Sequence, residues 1–305
     1  MEHYLSNRFE LIIEADQLKA IQDDCVILDC RHDLFDHHAG LVSYQQGHIK
    51  SALFCNMETD TAGVHTGKNG RHPLPTRQAW RDRLVAFGLR TDQQLVAYDA
   101  HAGQYAVRVW WMARWIGHAN VAVLNGGLPA WVAAGGAIEA GSTGVETVVG
   151  QTIGAQQAEL NNNHSILNIN SSLSYYIDAD QLTLALRTES SLLVDARAPS
   201  RYAGKTEPLD PVAGHIPGAI NHFYQDNLAA DGRFKQPAQL RERFRSIIGT
   251  TTPEQVIHQC GSGVTACHNI LAMELAGLSG SCLYPGSWSE WCSDSKRAIA
   301  TGDAP

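Results

Sequence analysis

"LLVDARAPSRYAGKTEPLDPVAGHIPGAINHF", Leu192–Phe223, decides the fold because the chain has already said it once. The earlier version is "VILDCRHDLFDHHAGLVSYQQGHIKSALF", Val26–Phe54. Each opens on an apolar run that ends in Asp-x-Arg, Asp29/Arg31 and Asp195/Arg197. Each continues to Gly-His-Ile, Gly47–Ile49 and Gly214–Ile216. A second pair follows: "LVAYDAHAGQYAVRVWWMARWIGH" from Leu95 and "VIHQCGSGVTACHNILAMELAGL" from Val256, each a short strand, a Gly-containing loop and a helix. A third pair, "LNGGLPAW" to Trp131 and "YPGSWSEW" to Trp291, closes each half. Asp29 and Asp195 are 166 positions apart and Trp131 and Trp291 are 160 apart, so the register holds over the whole length. The chain is a duplication.

Short β-branched runs alternate with helical patterns in both halves, which predicts an α/β fold with a mostly parallel sheet flanked by helices. The expected organisation is an N-terminal domain over 1–142, a polar Gly-, Ser-, Asn- and Gln-rich linker over 143–172 and a C-terminal domain over 173–305. In such sheets ligands sit at the carboxyl ends of strands, where strand passes into helix.

The totals exclude several function classes. The 305 residues carry a net charge of −8 and no basic run, which argues against nucleic acid and anionic membranes as partners. No segment approaches a membrane span, and the N-terminus has neither a basic n-region nor a long apolar run. Seven scattered cysteines without a CxxC pair argue against structural zinc and for reduced thiols, hence a cytoplasmic setting. "HDLFDHH", His32–His38, is a weak metal motif because it has no cysteine partner. No metal or cofactor is expected.

Cys260 ends the strand of the second pair. Gly261, Ser262, Gly263, Val264 and Thr265 lead from it into a helix. The two glycines let the loop curl and turn its N–H groups inward as an anion nest, and the helix N-terminus adds positive potential. Both favour a sulfur anion, the nucleophilic form. The hydroxyls of Ser262 and Thr265 can donate to an anion or cap the helix. The duplication supplies a control, since the first half has Asp99 opposite Cys260 and a loop one residue longer. That half carries no thiol at this position. Cys267, inside the helix, reads as a packing residue. The loop has no Arg before Ala266, which argues against a cysteine phosphatase.

These three duplicated motifs, with the Cys-Gly-Ser-Gly-Val-Thr-Ala loop and the closing Gly-Ser-Trp-Ser-Glu-Trp, resemble the tandem-domain rhodanese family of sulfurtransferases. The resemblance implies two rhodanese-like domains, the first catalytically silent. It implies that Cys260 takes a sulfane sulfur as a persulfide and passes it on to a thiol, such as a small thiol or a thioredoxin-like protein, or to cyanide. Within the family this loop is typical of 3-mercaptopyruvate sulfurtransferases, whereas thiosulfate enzymes carry a basic pair after the Cys. The donor is then a small anion. Thiosulfate sulfurtransfer, or a persulfide carrier without turnover, is the alternative.

By the same resemblance Arg201 is one of two substrate arginines. Asp210 stands where the second is expected, and Lys205 is the nearby substitute. Gly261, Gly263, Val264 and Thr265 complete the donor site. A Ser-His-Asp relay is implied at Ser262, His72 and Asp60. Other residues read as structural. Arg31 and Arg197 fix the strand-to-loop turn, and His48 and His215 hold turns. Trp110, Trp111 and Trp115 pack a helix. Trp288 and Trp291 wall the pocket or pack between domains.

Overall fold

The computed structural model describes residues 8–141 and 167–305. Most of the expected linker, 143–166, lies outside the described residues. The chain divides into two compact units. The first comprises residues up to Asp60 together with Thr76–Leu173, and the second comprises Thr61–Pro75 and Ser174–Pro305. A segment of the sequence's first half therefore belongs to the second unit.

In the first unit the strands β1 (Ile12–Ile13), β2 (Cys25–Asp29), β4 (Leu53–Phe54), β5 (Gln94–Tyr98) and β6 (Val121–Leu124) form one sheet in the order β1-β6-β5-β2-β4. All its pairings are parallel. A separate antiparallel pair joins β3 (His48–Ile49) to β7 (Ile138–Glu139). The second unit repeats the five-stranded sheet. Its strands are β8 (Tyr175–Tyr176), β9 (Leu192–Asp195), β10 (Ile220–Asn221), β11 (Val256–Gln259) and β12 (Cys282–Leu283), in the order β10-β9-β11-β12-β8. Every pairing is again parallel. β5 and β11 are buried at every position, as strands covered on both faces must be.

The duplication extends to single hydrogen bonds. Arg31 Nε donates to both carboxylate oxygens of Asp29 at 3.0 Å, and Arg31 Nη2 donates to Asp29 Oδ2 at 2.6 Å and to the Gly47 carbonyl at 2.7 Å. Arg197 Nε lies 3.1 Å from both Asp195 oxygens, and its Nη2 donates to Asp195 Oδ2 at 2.7 Å and to the Gly214 carbonyl at 2.8 Å. Each fork ties a strand end to the Gly-His turn. There the histidine stacks on a tyrosine, His48 on Tyr44 and His215 on Tyr202, with ring centroids 3.9 Å apart in both. The arginines and histidines are structural, as expected. The helix α4 (Ala106–Trp115) buries Trp110, Trp111 and Trp115, also as expected. Trp288 and Trp291 lie instead in the core of the second unit with Tyr202 and Ile216, and Trp288 Nε1 donates to the Val212 carbonyl. Neither was placed in a core by the sequence, because aromatics next to a glycine turn carry no 3.6-residue pattern.

His258 on β11 is fully buried, with Nε2 3.1 Å from Met273 Sδ. Burial lowers its pKa to about 3, and the neighbouring His222 adds to the effect. Unfolded, the imidazole takes up a proton below about 6.5. Between those two values the unfolded chain binds a proton that the folded chain refuses, so falling pH favours unfolding.

Two expectations follow. Removing the guanidinium in Arg31→Leu leaves Asp29 as an uncompensated buried charge, which costs about 3–5 kcal/mol. Urea denaturation followed by circular dichroism should show a markedly lower midpoint, and an unchanged midpoint would contradict the role of the fork. In His258→Leu the loss of stability between pH 6.5 and 3 should be shallower than in the unsubstituted protein. Equal slopes in melts recorded across that range would remove His258 from the acid response.

Candidate functional site

β11 ends at Gln259, and Cys260 begins the loop into α9 (Ala266–Leu275). Cys260 is 2% exposed. The loop hangs from the short helix α10 (Ser287–Trp291). The Cys260 N–H donates to Ser287 Oγ at 3.1 Å, while the carbonyls of Cys260 and Gly261 accept from the N–H groups of Trp288 and Ser289 at 3.0 Å. Ser287 has a φ of 54°, a strained setting for a non-glycine residue beside this loop. Gly263 has φ 77°, and a Cβ there would lie 2.4 Å from the Pro285 carbonyl oxygen, so only glycine fits. Thr265 is the N-cap residue of α9, but its side chain makes no capping bond. Val264 is buried. Cys267 is buried in α9 and donates to the Gly263 carbonyl at 3.4 Å.

The corresponding loop of the first unit shows what this turn does with an anion. The carboxylate of Asp99, fully buried, accepts four backbone N–H bonds. Oδ1 takes those of His101 at 2.7 Å and Gly103 at 2.9 Å, and Oδ2 takes those of Tyr105 at 2.8 Å and Ala106 at 3.0 Å. A strand-to-helix loop that converges four N–H groups is an anion nest, here filled by the chain's own side chain.

Three side chains meet the Cys260 loop within the second unit. Ser262 Oγ and His72 Nδ1 share a hydrogen bond of 2.7 Å, and both residues are buried. Arg201 binds Glu207, with Nη2 2.6 Å from Oε1 and Nε 3.3 Å from Oε2. The third is Arg71, which the sequence reading passed over. Its N–H donates to Ser289 Oγ at 3.0 Å, and its Nη1 donates to Asp210 Oδ1. Arg201 Nη2 lies 3.5 Å from Asp210 Oδ2. A Cβ built on Gly261 would stand 2.8 Å from Arg71 Nη2 and 3.5 Å from both Nη1 and Nη2 of Arg201. Gly261 thus leaves the space beside Cys260 open to two guanidiniums that come from outside the loop. The signal for Arg71 was its place directly before His72 in "NGRHPLP".

Of the remaining expected residues, Lys205 is not brought to the loop. Lys205 is largely exposed and binds Asp303 at 3.1 Å. Asp60 belongs to the first unit. It accepts the Asn56 N–H at 2.8 Å and pairs with Arg83 Nε at 3.2 Å. Burial pushes its carboxyl above the usual range, against the pull of Arg83. In the histidine run, His32 Nε2 and His37 Nδ1 lie 3.5 and 3.9 Å from Glu58 Oε1, which makes them ion-pair partners of that carboxylate when protonated.

Comparison with known proteins agrees with the duplicated architecture. The model of the rhodanese-like domain matches twice, over residues 14–134 and 178–294. A Pseudomonas aeruginosa protein named "Probable 3-mercaptopyruvate sulfurtransferase" is 43% identical over 296 residues, covering 96% of this chain and 98% of its own. The thiosulfate sulfurtransferase of Mus musculus is 34% identical over 255 residues, covering 81% of this chain and 78% of its own. Among solved structures, the 3-mercaptopyruvate sulfurtransferase from Leishmania major superposes with a TM-score of 0.77 at 27% identity, over 92% of this chain and 74% of that one. With both halves matched and relatives that align along most of their length, the chain belongs to the rhodanese-like sulfurtransferases, a family of enzymes.

Proposed function

We propose that the chain moves sulfane sulfur from 3-mercaptopyruvate to a thiol or cyanide acceptor through a persulfide on Cys260. The observation that carries this reading is the convergence of Arg71 and Arg201 on Gly261. Two guanidiniums beside the nucleophile suit a carboxylate, which they can hold in bidentate fashion. The family resemblance expected a second arginine at position 210 and a substitute at Lys205. Arg71 fills that role from a different stretch of chain.

The chemistry then runs in two displacements. The Cys260 thiolate attacks the donor's sulfur, the S–S bond forms and the donor's C–S bond breaks. The electron pair of that bond leaves as the enolate of pyruvate, which takes a proton at carbon. The Ser262–His72 pair is placed to move a proton or to polarise the donor's carbonyl. By analogy with the Asp99 nest of the first unit, the N–H groups of the loop are assigned to hold the developing charge. In the second displacement the acceptor attacks the outer sulfur and releases the Cys260 thiolate. The proposed relay consists of Ser262 and His72; Asp60 belongs to the first unit, where it pairs with Arg83.

A second reading has thiosulfate as donor. The mouse relative's name favours it. A small thiol or a thioredoxin-like protein is the proposed acceptor. All seven cysteines are thiols, which supports a reducing, cytoplasmic setting. Among the described residues no helix is long and apolar enough to cross a membrane.

Cys260→Ser should abolish turnover of both donors, and mass spectrometry of the unsubstituted protein with donor should locate one added sulfur on Cys260. An active Cys260→Ser protein would overturn the mechanism. Ser262→Ala and His72→Asn should lower kcat for 3-mercaptopyruvate by about 10²-fold or more, the usual weight of a proton-transfer group, and leave thiosulfate turnover unmoved. Parallel losses for both donors would assign the pair a structural role instead.

A further inference from the structure

Asp210 sits at the meeting point of two guanidiniums from distant stretches of the sequence. Its side chain is only 3% exposed, and its backbone N–H is fixed by Glu207 Oε1 at 3.2 Å. Arg71 gives Nη1 to Asp210 and turns Nη2 towards Gly261. Arg201 gives Nη2 to Glu207 and Asp210, and its Nη1 and Nη2 are equally near a Cβ built on Gly261, at 3.5 Å. Asp210 thus bonds Arg71 Nη1 and Arg201 Nη2 but neither Arg71 Nη2 nor Arg201 Nη1, both of which reach the loop. A donor held by those two nitrogens need not displace it.

Its effect is electrostatic. Arg71, Arg197 and Arg201 are joined by ion pairs to Asp195, Glu207 and Asp210, three guanidiniums against three carboxylates. We propose that Asp210 is a specificity-determining residue: its buried charge brings the donor site to electrical balance, so that a monoanionic donor is accepted and a dianionic one is penalised. A monocarboxylate such as mercaptopyruvate brings one negative charge and thiosulfate brings two. Each added charge meets the Asp210 carboxylate across a few ångströms of poorly hydrated protein, where screening by salt is weak. With an arginine in place of Asp210 the balance would shift by two charges in favour of dianions. This inference rests on the donor site proposed above.

Asp210→Asn tests it, because the amide keeps the shape and an acceptor oxygen while losing the charge. With cyanide as acceptor throughout, kcat/KM should be measured for both donors. The ratio of thiosulfate to mercaptopyruvate should rise about tenfold, the scale expected for one unit charge in a partly hydrated cleft. A ratio that stays put, or a parallel loss for both donors, would overturn the proposal and leave Asp210 as a structural tie. Calorimetric titration of pyruvate and sulfate needs neither turnover nor the variant. The unsubstituted protein should bind pyruvate more tightly than sulfate, and equal or tighter sulfate binding would overturn the proposal even if Asp210→Asn fails to fold. If neither donor is turned over while pyruvate is still preferred, the assigned reaction fails and the charge selectivity stands.

Discussion

A buried carboxylate at the end of a strand cannot stay ionised alone. Asp29 and Asp195 are both fully buried, and each is held by the arginine two residues on. That pairing forces the chain to bend back at the strand's carboxyl end, where the arginine also claims a glycine carbonyl from the following turn. The neighbouring strand, β5 or β11, pairs in parallel beside it and runs into the Asp99 or Cys260 loop. A parallel sheet puts these strand ends on one edge, so the two devices reinforce each other in both halves.

The two loops solve one problem differently. A turn that gathers N–H groups must satisfy them. In the first unit a carboxylate does so permanently, with four hydrogen bonds. In the second unit the same position is a cysteine that ends a buried strand, and the surroundings add two arginines and a serine–histidine pair. The first loop is filled by its own side chain. The two loops differ by the residue at the strand's end and by what has been brought up to it.

Much of this was legible in the sequence. Periodic motifs gave the parallel sheets, the duplicated Asp-x-Arg forks and the contrast of Asp99 with Cys260, because those depend on residues within a few positions of one another. The tertiary part was not. Arg71 lies 139 positions from Asp210, and no local pattern marks two such residues as partners. Lys205 looked suitable by proximity along the chain, but its long side chain turns to the exposed Asp303. Trp288 read as a pocket wall and is core, with the Arg197 guanidinium carbon 4.9 Å above its ring centre. Thr265 sits at an N-cap without capping, since its backbone is already helical there.

The segment Thr61–Pro75 has a bearing on how the molecule is made. It is synthesised about a hundred residues before the rest of the second unit begins at Ser174. Domains tend to fold in the order in which they emerge. This stretch must then wait, unplaced, while the first unit closes behind it. Its composition suits waiting, since three glycines and several polar residues leave little apolar surface to aggregate. Only when the Cys260 loop has emerged can Arg71 and His72 reach their positions. The surroundings of Cys260 are thus assembled last, by a long-range closure that is slow by its nature. A half-made chain carries the self-filled Asp99 loop alone, and the Cys260 loop gains its neighbours only once the second unit has been made.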